Sequence, residues 1–392
     1  MIWAPRGWLN SANLLIIVTL VVVFTALAWV FYPGSMPSGF SSAEQAAKIG
    51  SSSLNSISDN PVNAPHKLLL YGLQKTGSPG HTSLRMVSVI FALLLAGCFY
   101  YLVRSWFGKS IGLMATIIFC LSTFFIIAAK QASGEIMFFT PLALMAVYLW
   151  FTRTEKKSLV LIVLMMAAGL ALYIPGILWF VLGALAFSWK KLIAKTEDVP
   201  VAYVAGGFLV LGMLILPLGI AVIDDWRVIK TLALVPSELS DPIQIVKNTA
   251  WMASALILRA PHGSLFVLGG LPLLNMIMTA LFVFGIYAMF KAAKKKMLSL
   301  MTALVFAIAA AGVNNNLSLL FLGLPAAGIM MAAGLRYLYI EWRGVFPHNP
   351  IPKSLALILM TLLVGVQLVY SLTYTMSAWP NASSTKSSYV IK

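Results

Sequence analysis

Residues 84–103 read LRMVSVIFALLLAGCFYYLV, and the only charged side chain in this run is Arg85 near its start. About 20 residues of α-helix cross the ~30 Å hydrocarbon core of a bilayer. The run is therefore long and apolar enough to span a membrane. Across the whole chain of 392 residues, 60% are hydrophobic and 10% are charged, and the mean hydropathy is +0.92. This composition predicts an integral membrane protein and excludes an ordinary soluble domain.

The same criterion predicts an all-α polytopic protein with about eleven membrane-spanning helices. The predicted spans are residues 13–32, 84–103, 111–129, 136–152, 158–172, 176–189, 201–223, 266–290, 298–313, 317–340 and 355–374. We expect one membrane domain, with residues 1–223 and their outer loop 33–82 as its first part. Residues 224–392, with a second long outer loop and the C-terminal helices, form the rest. The run 13–32 is interpreted as a retained anchor because it lacks a clear cleavage site.

The turn at residues 173–176 either kinks one helix or connects a helical hairpin. If residues 158–189 form a hairpin that crosses the membrane twice, the basic clusters of the connecting loops all lie on one side. If these residues cross only once, the clusters lie on both sides. The clusters are Arg153/Lys156/Lys157, Lys190/Lys191/Lys195 and Lys291/Lys294/Lys295/Lys296. The positive-inside rule favours the hairpin, with this side and the N-terminus in the cytoplasm. Short basic loops beside anionic lipid headgroups account for the net charge of +16, so no nucleic-acid partner is expected.

The spans carry ionisable residues only near their ends. Ion-coupled transporters and voltage sensors place such residues within the bilayer, so transport is the less favoured function. Cys98 and Cys120 lie inside apolar runs without CxxC spacing, which indicates packing residues. The two long outer loops are therefore where we expect the chemistry.

The loop 33–82 contains two predicted helices. Ser41, Ser42 and Glu44 form a pattern that begins a helix, with hydroxyls near the N-cap and an acid in the first turn. A second helix starts near Pro65 and is predicted to be interfacial. Its leucines are expected to face lipid, while His66, Lys67, Gln74 and Lys75 are expected to stay in water.

From residue 41 to residue 189 the chain resembles the GT-C glycosyltransferases that use polyprenyl-phosphate sugars, the group with protein O-mannosyltransferases and the lipid A aminoarabinose transferase. The similarity rests on the order and spacing of short motifs. They are the loop acid Glu44 and its helix, SLR at 83–85, RSWFGKSIGL at 104–113, KQASGE at 130–135 and GLALYIPGIL at 169–178. Relatives carry an Asp-Glu pair in the first loop, where this chain has Ala43 before Glu44.

The resemblance implies a GT-C-like fold and transfer of a sugar from a polyprenyl-phosphate donor to a lipid, glycan or protein acceptor. It implies that the reaction occurs on the extracytoplasmic face, in a bacterial inner membrane. Two alternatives stay open, a catalytically degenerate relative and a lipid or solute transporter.

By its position in the resemblance, Glu44 is the candidate catalytic base, and helix capping is its other reading. A departing lipid phosphate needs positively charged donors, and the candidate substrate-binding residues are chosen for that role or for sugar and acceptor contact. They are Lys130, His66, Lys67, Arg259, Glu135 and Asp224. The sequence identifies no cofactor with certainty, but Glu44 and Glu135 together are candidates for holding a divalent cation through oxygen ligands.

Overall fold

The computed structural model describes residues 25, 28–77, 80–236, 238, 241–261, 265–345 and 350–390. This part of the chain consists of helices and their connections, without a β-strand. The first long loop contains α1 (Ser42–Gly50), α2 (Leu54–Asp59) and α3 (Ala64–Lys75). The first half of the bundle contains α4 (His81–Phe107), α5 (Lys109–Cys120), α6 (Thr123–Lys130), α7 (Pro141–Arg153), α8 (Lys157–Ala171), α9 (Ile177–Thr196) and α10 (Val201–Asp224).

The second half begins with α11 (Arg227–Leu232) and α12 (Pro242–Ile257) in the second long loop. It continues with α13 (Met276–Ala292), α14 (Lys294–Val313), α15 (Leu324–Val345) and α16 (Pro350–Leu372). A π-helical turn (Thr373–Ala378) leads to α17 (Trp379–Asn381) and α18 (Ser383–Ser388). Short 3-10 segments, Glu135–Phe139 and Leu317–Leu322, precede α7 and α15.

The all-α membrane fold is confirmed, but the predicted number of eleven spans is not. Among the described residues, six helices are long and apolar enough to cross a membrane, and seven if the bent pair α5 and α6 counts as one span. Helices α8 and α13 are apolar but shorter. The predicted span 13–32 lies largely outside the described residues. The predicted turn at 173–176 does separate two helices, α8 and α9.

The predicted span 111–129 is broken at Leu121 and Ser122, where α5 and α6 meet at 63°. A helix break inside a bundle leaves backbone carbonyls that need new partners, because no water is present in the hydrocarbon region. The Leu121 carbonyl accepts hydrogen bonds from Gln367 Nε2 at 3.1 Å and from the Ser371 hydroxyl. Two polar side chains of α16 therefore stabilise the break.

The predicted span 266–290 begins about ten residues too early, because α13 starts only at Met276. Gly269 and Gly270 both have a positive φ, and Pro272 lacks the amide hydrogen that a helix interior requires. The amides of Leu273 and Leu274 instead donate to the carbonyls at the end of α12. This segment thus folds back on the second long loop.

Helix α15 is the central helix of the bundle, and its residues 324–335 are all buried. Gly334 of α15 and Gly285 of α13 let the two backbones approach closely. A Cβ added at Gly285 would collide with the Met330 carbonyl, and one added at Gly334 with the Leu281 carbonyl. Small residues at such crossings are the usual basis of tight helix packing in membranes.

Helix α3 forms where the sequence predicts it, and Leu68 and Leu69 are exposed as expected, but the prediction that His66 and Lys67 stay in water was wrong. His66 is 1% exposed and Lys67 is 9% exposed, whereas Leu68 and Leu69 are each 46% exposed. Asn63, in the left-handed conformation just before α3, donates its amide hydrogen to the Tyr173 carbonyl at 2.8 Å. This contact anchors the start of α3 on the bundle, so the polar side of its first turn faces inward.

Candidate functional site

A buried carboxylate, Glu44, joins the first long loop to the bundle. Its side chain has no solvent exposure. The Ser41 hydroxyl accepts a hydrogen bond from the Glu44 amide at 3.2 Å, and Glu44 Oε2 accepts one from the Ser41 amide at 3.1 Å. This is the capping box that the spacing of the two residues predicts. Glu44 Oε1 also accepts from the Ala132 amide at 3.0 Å, which connects α1 to the turn after α6.

Arg85, in the second turn of α4, forms a bidentate ion pair with Glu44. Its Nε lies 2.8 Å from Glu44 Oε1, and its Nη2 lies 3.0 Å from Oε2. The guanidinium also donates to the carbonyls of Pro37 at 2.9 Å and Gly39 at 2.6 Å. A buried ion pair needs such additional bonds to offset its loss of hydration. Together they fix the first loop on the end of α4.

The resemblance marks Glu44 as the catalytic base, but its two oxygens accept four hydrogen bonds from the protein. A general base must direct a lone pair at the proton of the acceptor. In this arrangement the Glu44 carboxylate has no such lone pair to offer. Its observed role is the alternative that the sequence left open, a structural one.

Lys130, the last residue of α6, is a buried cation two residues before Ala132, whose amide bonds Glu44. Its side chain is 1% exposed, and its Nζ donates to the Ser35 hydroxyl at 2.8 Å. Among the described residues, no carboxylate lies within ion-pair distance of it. A buried charge without a counter-ion is costly. Such a position favours the binding of an anion.

His66 links α3, α4 and the turn after α6. Its Nε2 lies 2.8 Å from the Ser88 hydroxyl, which donates to the Gln131 carbonyl. Nε2 therefore carries the hydrogen, and Nδ1 is unprotonated. Burial, with a smaller contribution from the charge of Lys67, lowers the pKa of His66 to about 4. The ring is neutral at pH 7, so His66 does not supply the positive charge that the sequence analysis expects of it.

Lys67 is buried beside His66 in the first turn of α3, and its Nζ donates to the Asn60 carbonyl at 2.6 Å. Burial lowers the pKa of Lys67 to about 8, because the charged form loses hydration. The amine is still mostly protonated at pH 7. An anion beside it would stabilise the charged form further.

Glu135 begins the 3-10 segment after the same turn and is half-buried. Its carboxylate accepts a hydrogen bond from the Ser133 hydroxyl. Gly134 has a φ of +84°, which favours glycine at this turn. The turn lies against α3, since a Cβ at Gly134 would be in ordinary contact with Asn63 Nδ2 at 3.4 Å and His66 Nδ1 at 3.5 Å. Asn63 Oδ1 is buried without a hydrogen-bond partner among the described residues. The turn that carries Glu135 thus lies beside the start of α3, where the described residues leave the Asn63 Oδ1 acceptor unused.

Tyr389, near the C-terminus, covers the ion pair. It is 5% exposed, and its hydroxyl accepts a hydrogen bond from Gln131 Nε2 at 3.0 Å. The Arg85 guanidinium lies over its ring at 5.4 Å, and the Trp379 ring meets it edge-on at 6.0 Å. Burial raises the pKa of the Tyr389 phenol, which keeps it neutral. The last described residues therefore contribute a wall of the site.

Two other predicted residues lie elsewhere. Asp224 is the exposed last residue of α10, and no described contact joins it to the buried cluster. Arg259 is exposed after α12, where its backbone exchanges hydrogen bonds with Ser254. The structure therefore gathers Glu44, Lys130, His66, Lys67 and Glu135 near one end of the bundle.

Glu44 and Glu135, the predicted ligands of a divalent cation, do not form a metal site. Glu44 already accepts four hydrogen bonds, two of them from a guanidinium. Among the described residues, no group of three or more His, Cys, Asp or Glu side chains could hold a metal ion. The donor set around Glu44 and Glu135 therefore does not fit a metal centre.

Sequence reasoning did not identify Arg85, Ser88, Gln131 or Tyr389 as site residues. Arg85 carried a usable signal, because a charge within an apolar span is costly unless it is paired. Tyr389 carried no such signal in the sequence, since its partners Gln131 and Arg85 are far away along the chain.

Part of the sequence matches a family model, and the fold is similar to solved structures. Residues 69–219 match the family model described as dolichyl-phosphate-mannose-protein mannosyltransferase. The fold is similar to the crystal structure of ArnT from Cupriavidus metallidurans in the apo state, with a TM-score of 0.61 and 14% identity over 96% of this chain and 78% of that chain. The structure of the same protein bound to undecaprenyl phosphate gives a TM-score of 0.60 and 12% identity, over 99% of this chain and 78% of that chain. No curated protein matches the sequence.

Proposed function

We propose that this chain is a GT-C glycosyltransferase, which transfers a sugar from a polyprenyl-phosphate donor to a hydroxyl-bearing acceptor. The match of residues 69–219 to a mannosyltransferase family model and the ArnT-like fold support the proposal. The observation that carries the proposal is a buried polar cluster near one end of the bundle, in which Lys130 is a buried cation that no described carboxylate pairs with. ArnT, which shares the fold, binds undecaprenyl phosphate. A lipid phosphate would supply the missing counter-ion. The acceptor is a lipid, a glycan or a protein.

Lys130 and Lys67 are proposed to bind the donor phosphate. Negative charge accumulates on the phosphate oxygens as the bond to the sugar breaks, and a cation held in a poorly hydrated site stabilises that charge strongly. Both lysines are buried, and each makes a single described hydrogen bond to a neutral oxygen. Their remaining ammonium hydrogens can therefore bond the phosphate.

Glu135 is proposed as the general base. The acceptor oxygen attacks the anomeric carbon, the bond from that carbon to the phosphate oxygen breaks, and the acceptor proton passes to the Glu135 carboxylate. Polyprenyl phosphate leaves with the bonding electron pair. The buried Asn63 Oδ1 and His66 Nδ1 lie beside the turn of Glu135 and are positioned to accept hydrogen bonds from sugar hydroxyls. Glu44 and Arg85 are positioning residues that hold this turn.

The reaction is proposed to occur on the extracytoplasmic side of a bacterial inner membrane, with the N-terminus in the cytoplasm. The support is the positive-inside rule, since the basic clusters belong to the loops that the sequence analysis places opposite the first long loop. A cysteine introduced at the exposed Ser387, close to Tyr389, tests this orientation. Labelling of intact cells by a membrane-impermeant maleimide is expected, and protection until the cells are lysed would contradict it.

The direct test uses purified protein, radiolabelled polyprenyl-phosphate sugars and a panel of hydroxyl acceptors. Transfer of label from lipid to acceptor is the expected result. A degenerate relative is the second candidate, favoured by the saturated Glu44 carboxylate, and it would bind the lipid without turnover. Flux of a solute into proteoliposomes, without sugar transfer, would instead indicate a transporter.

The pH dependence of kcat/KM tests the role of Lys67. The pKa of Lys67 in the free protein is about 8, so its charge is present below that pH and lost as the pH rises through 8. We expect kcat/KM to fall along an alkaline limb near pH 8, because kcat/KM reports the free enzyme. Lys67→Arg keeps its charge throughout this range and should move the limb upward. An unchanged limb in Lys67→Arg would show that another group titrates there.

A further inference from the structure

A second cationic site lies at the end of α4 that is distant from the ion pair of Arg85. Helix α4 has 27 residues and is therefore about 40 Å long. Its last turn, residues 104–107, ends at Gly108, whose φ of +95° turns the chain into α5. Residues from three other helices converge on this turn. We call the group Arg104, Trp106, Arg153, Lys296 and Arg336 the Trp106 patch.

Hydrogen bonds to backbone carbonyls and contacts with aromatic rings hold three of these cations at the turn, and the Arg104 guanidinium lies over the Tyr100 ring at 5.9 Å. Arg336 of α15 donates to the Trp106 carbonyl at 3.1 Å, and its guanidinium lies 5.8 Å from the Phe107 ring centre. Arg153, at the end of α7, donates to the Ser105 carbonyl at 3.4 Å. Lys296 of α14 lies 4.9 Å above the Trp106 ring.

Helix capping accounts for only part of this arrangement. The last carbonyls of a helix carry partial negative charge and attract cations. However, each guanidinium has five N–H donors, and Arg153 and Arg336 each use one in the bonds described. Arg104, Arg153, Lys296 and Arg336 are all exposed. Neither of the two ion pairs found among the described residues includes any of them.

We propose that the Trp106 patch binds the phosphate headgroup of an anionic phospholipid. Lys296 lies over the half-buried Trp106 indole, and Arg153 and Arg336 bond backbone carbonyls of the same helical turn. Among the described residues, no carboxylate forms an ion pair with any cation of the patch. Arginine matches the geometry of phosphate oxygens, and tryptophan favours the depth of the membrane interface. Basic pockets between membrane helices bind such headgroups. This site is separate from the sugar-transfer cluster and independent of its proposed function.

Native mass spectrometry of the purified full-length protein, titrated with cardiolipin, measures the affinity. Lys296→Gln/Arg336→Gln removes two charges and is expected to weaken binding by about 30-fold, at ~1 kcal/mol for each basic residue. Lys296→Gln alone breaks no described hydrogen bond and should weaken binding by about fivefold. Thermal unfolding of both variants checks that they are folded.

The matched control is Lys190→Gln/Lys191→Gln, which removes two exposed charges from α9 and should leave the affinity unchanged. Equal weakening in the control would mean that cardiolipin follows total charge, and the site would be rejected. Phosphatidylcholine should not bind at this position. Binding of inorganic pyrophosphate with the affinity of cardiolipin would overturn the assignment to a lipid.

Discussion

Replacing Glu135 with glutamine is expected to lower kcat by about 10²- to 10⁴-fold, the usual contribution of a general base. Glutamine keeps the size of the side chain, and its carbonyl oxygen can still accept the hydrogen bond from Ser133. The variant should therefore fold and bind the donor lipid. What it lacks is a carboxylate that can take the acceptor proton. Single-turnover assays with saturating donor and acceptor measure this step.

The matched control is Glu155→Gln, which makes the same chemical change at an exposed position of the loop between α7 and α8. It should leave kcat and donor binding unchanged. If Glu135→Gln retains full kcat, the base lies elsewhere, and the unprotonated Nδ1 of His66 becomes the next candidate. If Glu135→Gln loses lipid binding as well as turnover, the residue contributes to donor recognition.

Local rules predicted the parts of this protein that depend on neighbouring residues. The helix start at Ser41 and Glu44 followed from their spacing, because a capping box involves only four consecutive positions. Most spans followed from the length of the apolar runs. The capping box and the apolar runs both predict structure well, because each depends on residues within a single turn or a single helix.

The features that the sequence did not predict depend on contacts between residues that are far apart in the chain. The break after α5 depends on Gln367 and Ser371, which are about 250 residues farther along the chain. The inward orientation of His66 and Lys67 depends on the anchoring of Asn63 by Tyr173. Periodicity identifies the polar side of α3, but it does not say whether that side faces water or a buried cluster of the bundle. Only the structure shows that the His66 and Lys67 side chains are buried.

The ion pair of Glu44 and Arg85 joins α1 to α4, and Glu44 also bonds the turn after α6. Glu44→Gln replaces one acceptor oxygen by an amide group that donates, and this group must face two N–H donors, either those of Ser41 and Arg85 or those of Arg85 and Ala132. Arg85 also loses its counter-ion while remaining buried. Removing one partner of a buried ion pair costs about 3–5 kcal/mol. We therefore expect Glu44→Gln to lower the free energy of unfolding by an amount in this range.

A double-mutant cycle separates this structural effect from catalysis. Arg85→Gln alone should destabilise the protein about as much as Glu44→Gln, whereas the double variant should cost clearly less than the sum, because no buried charge is left unpaired. Asp198→Asn breaks the exposed ion pair with Lys157 and should have no measurable effect. Equilibrium unfolding in detergent gives these free energies. If Glu44→Gln abolishes turnover with unchanged stability and lipid affinity, Glu44 is itself a catalytic group, and the assignment of the base to Glu135 is wrong.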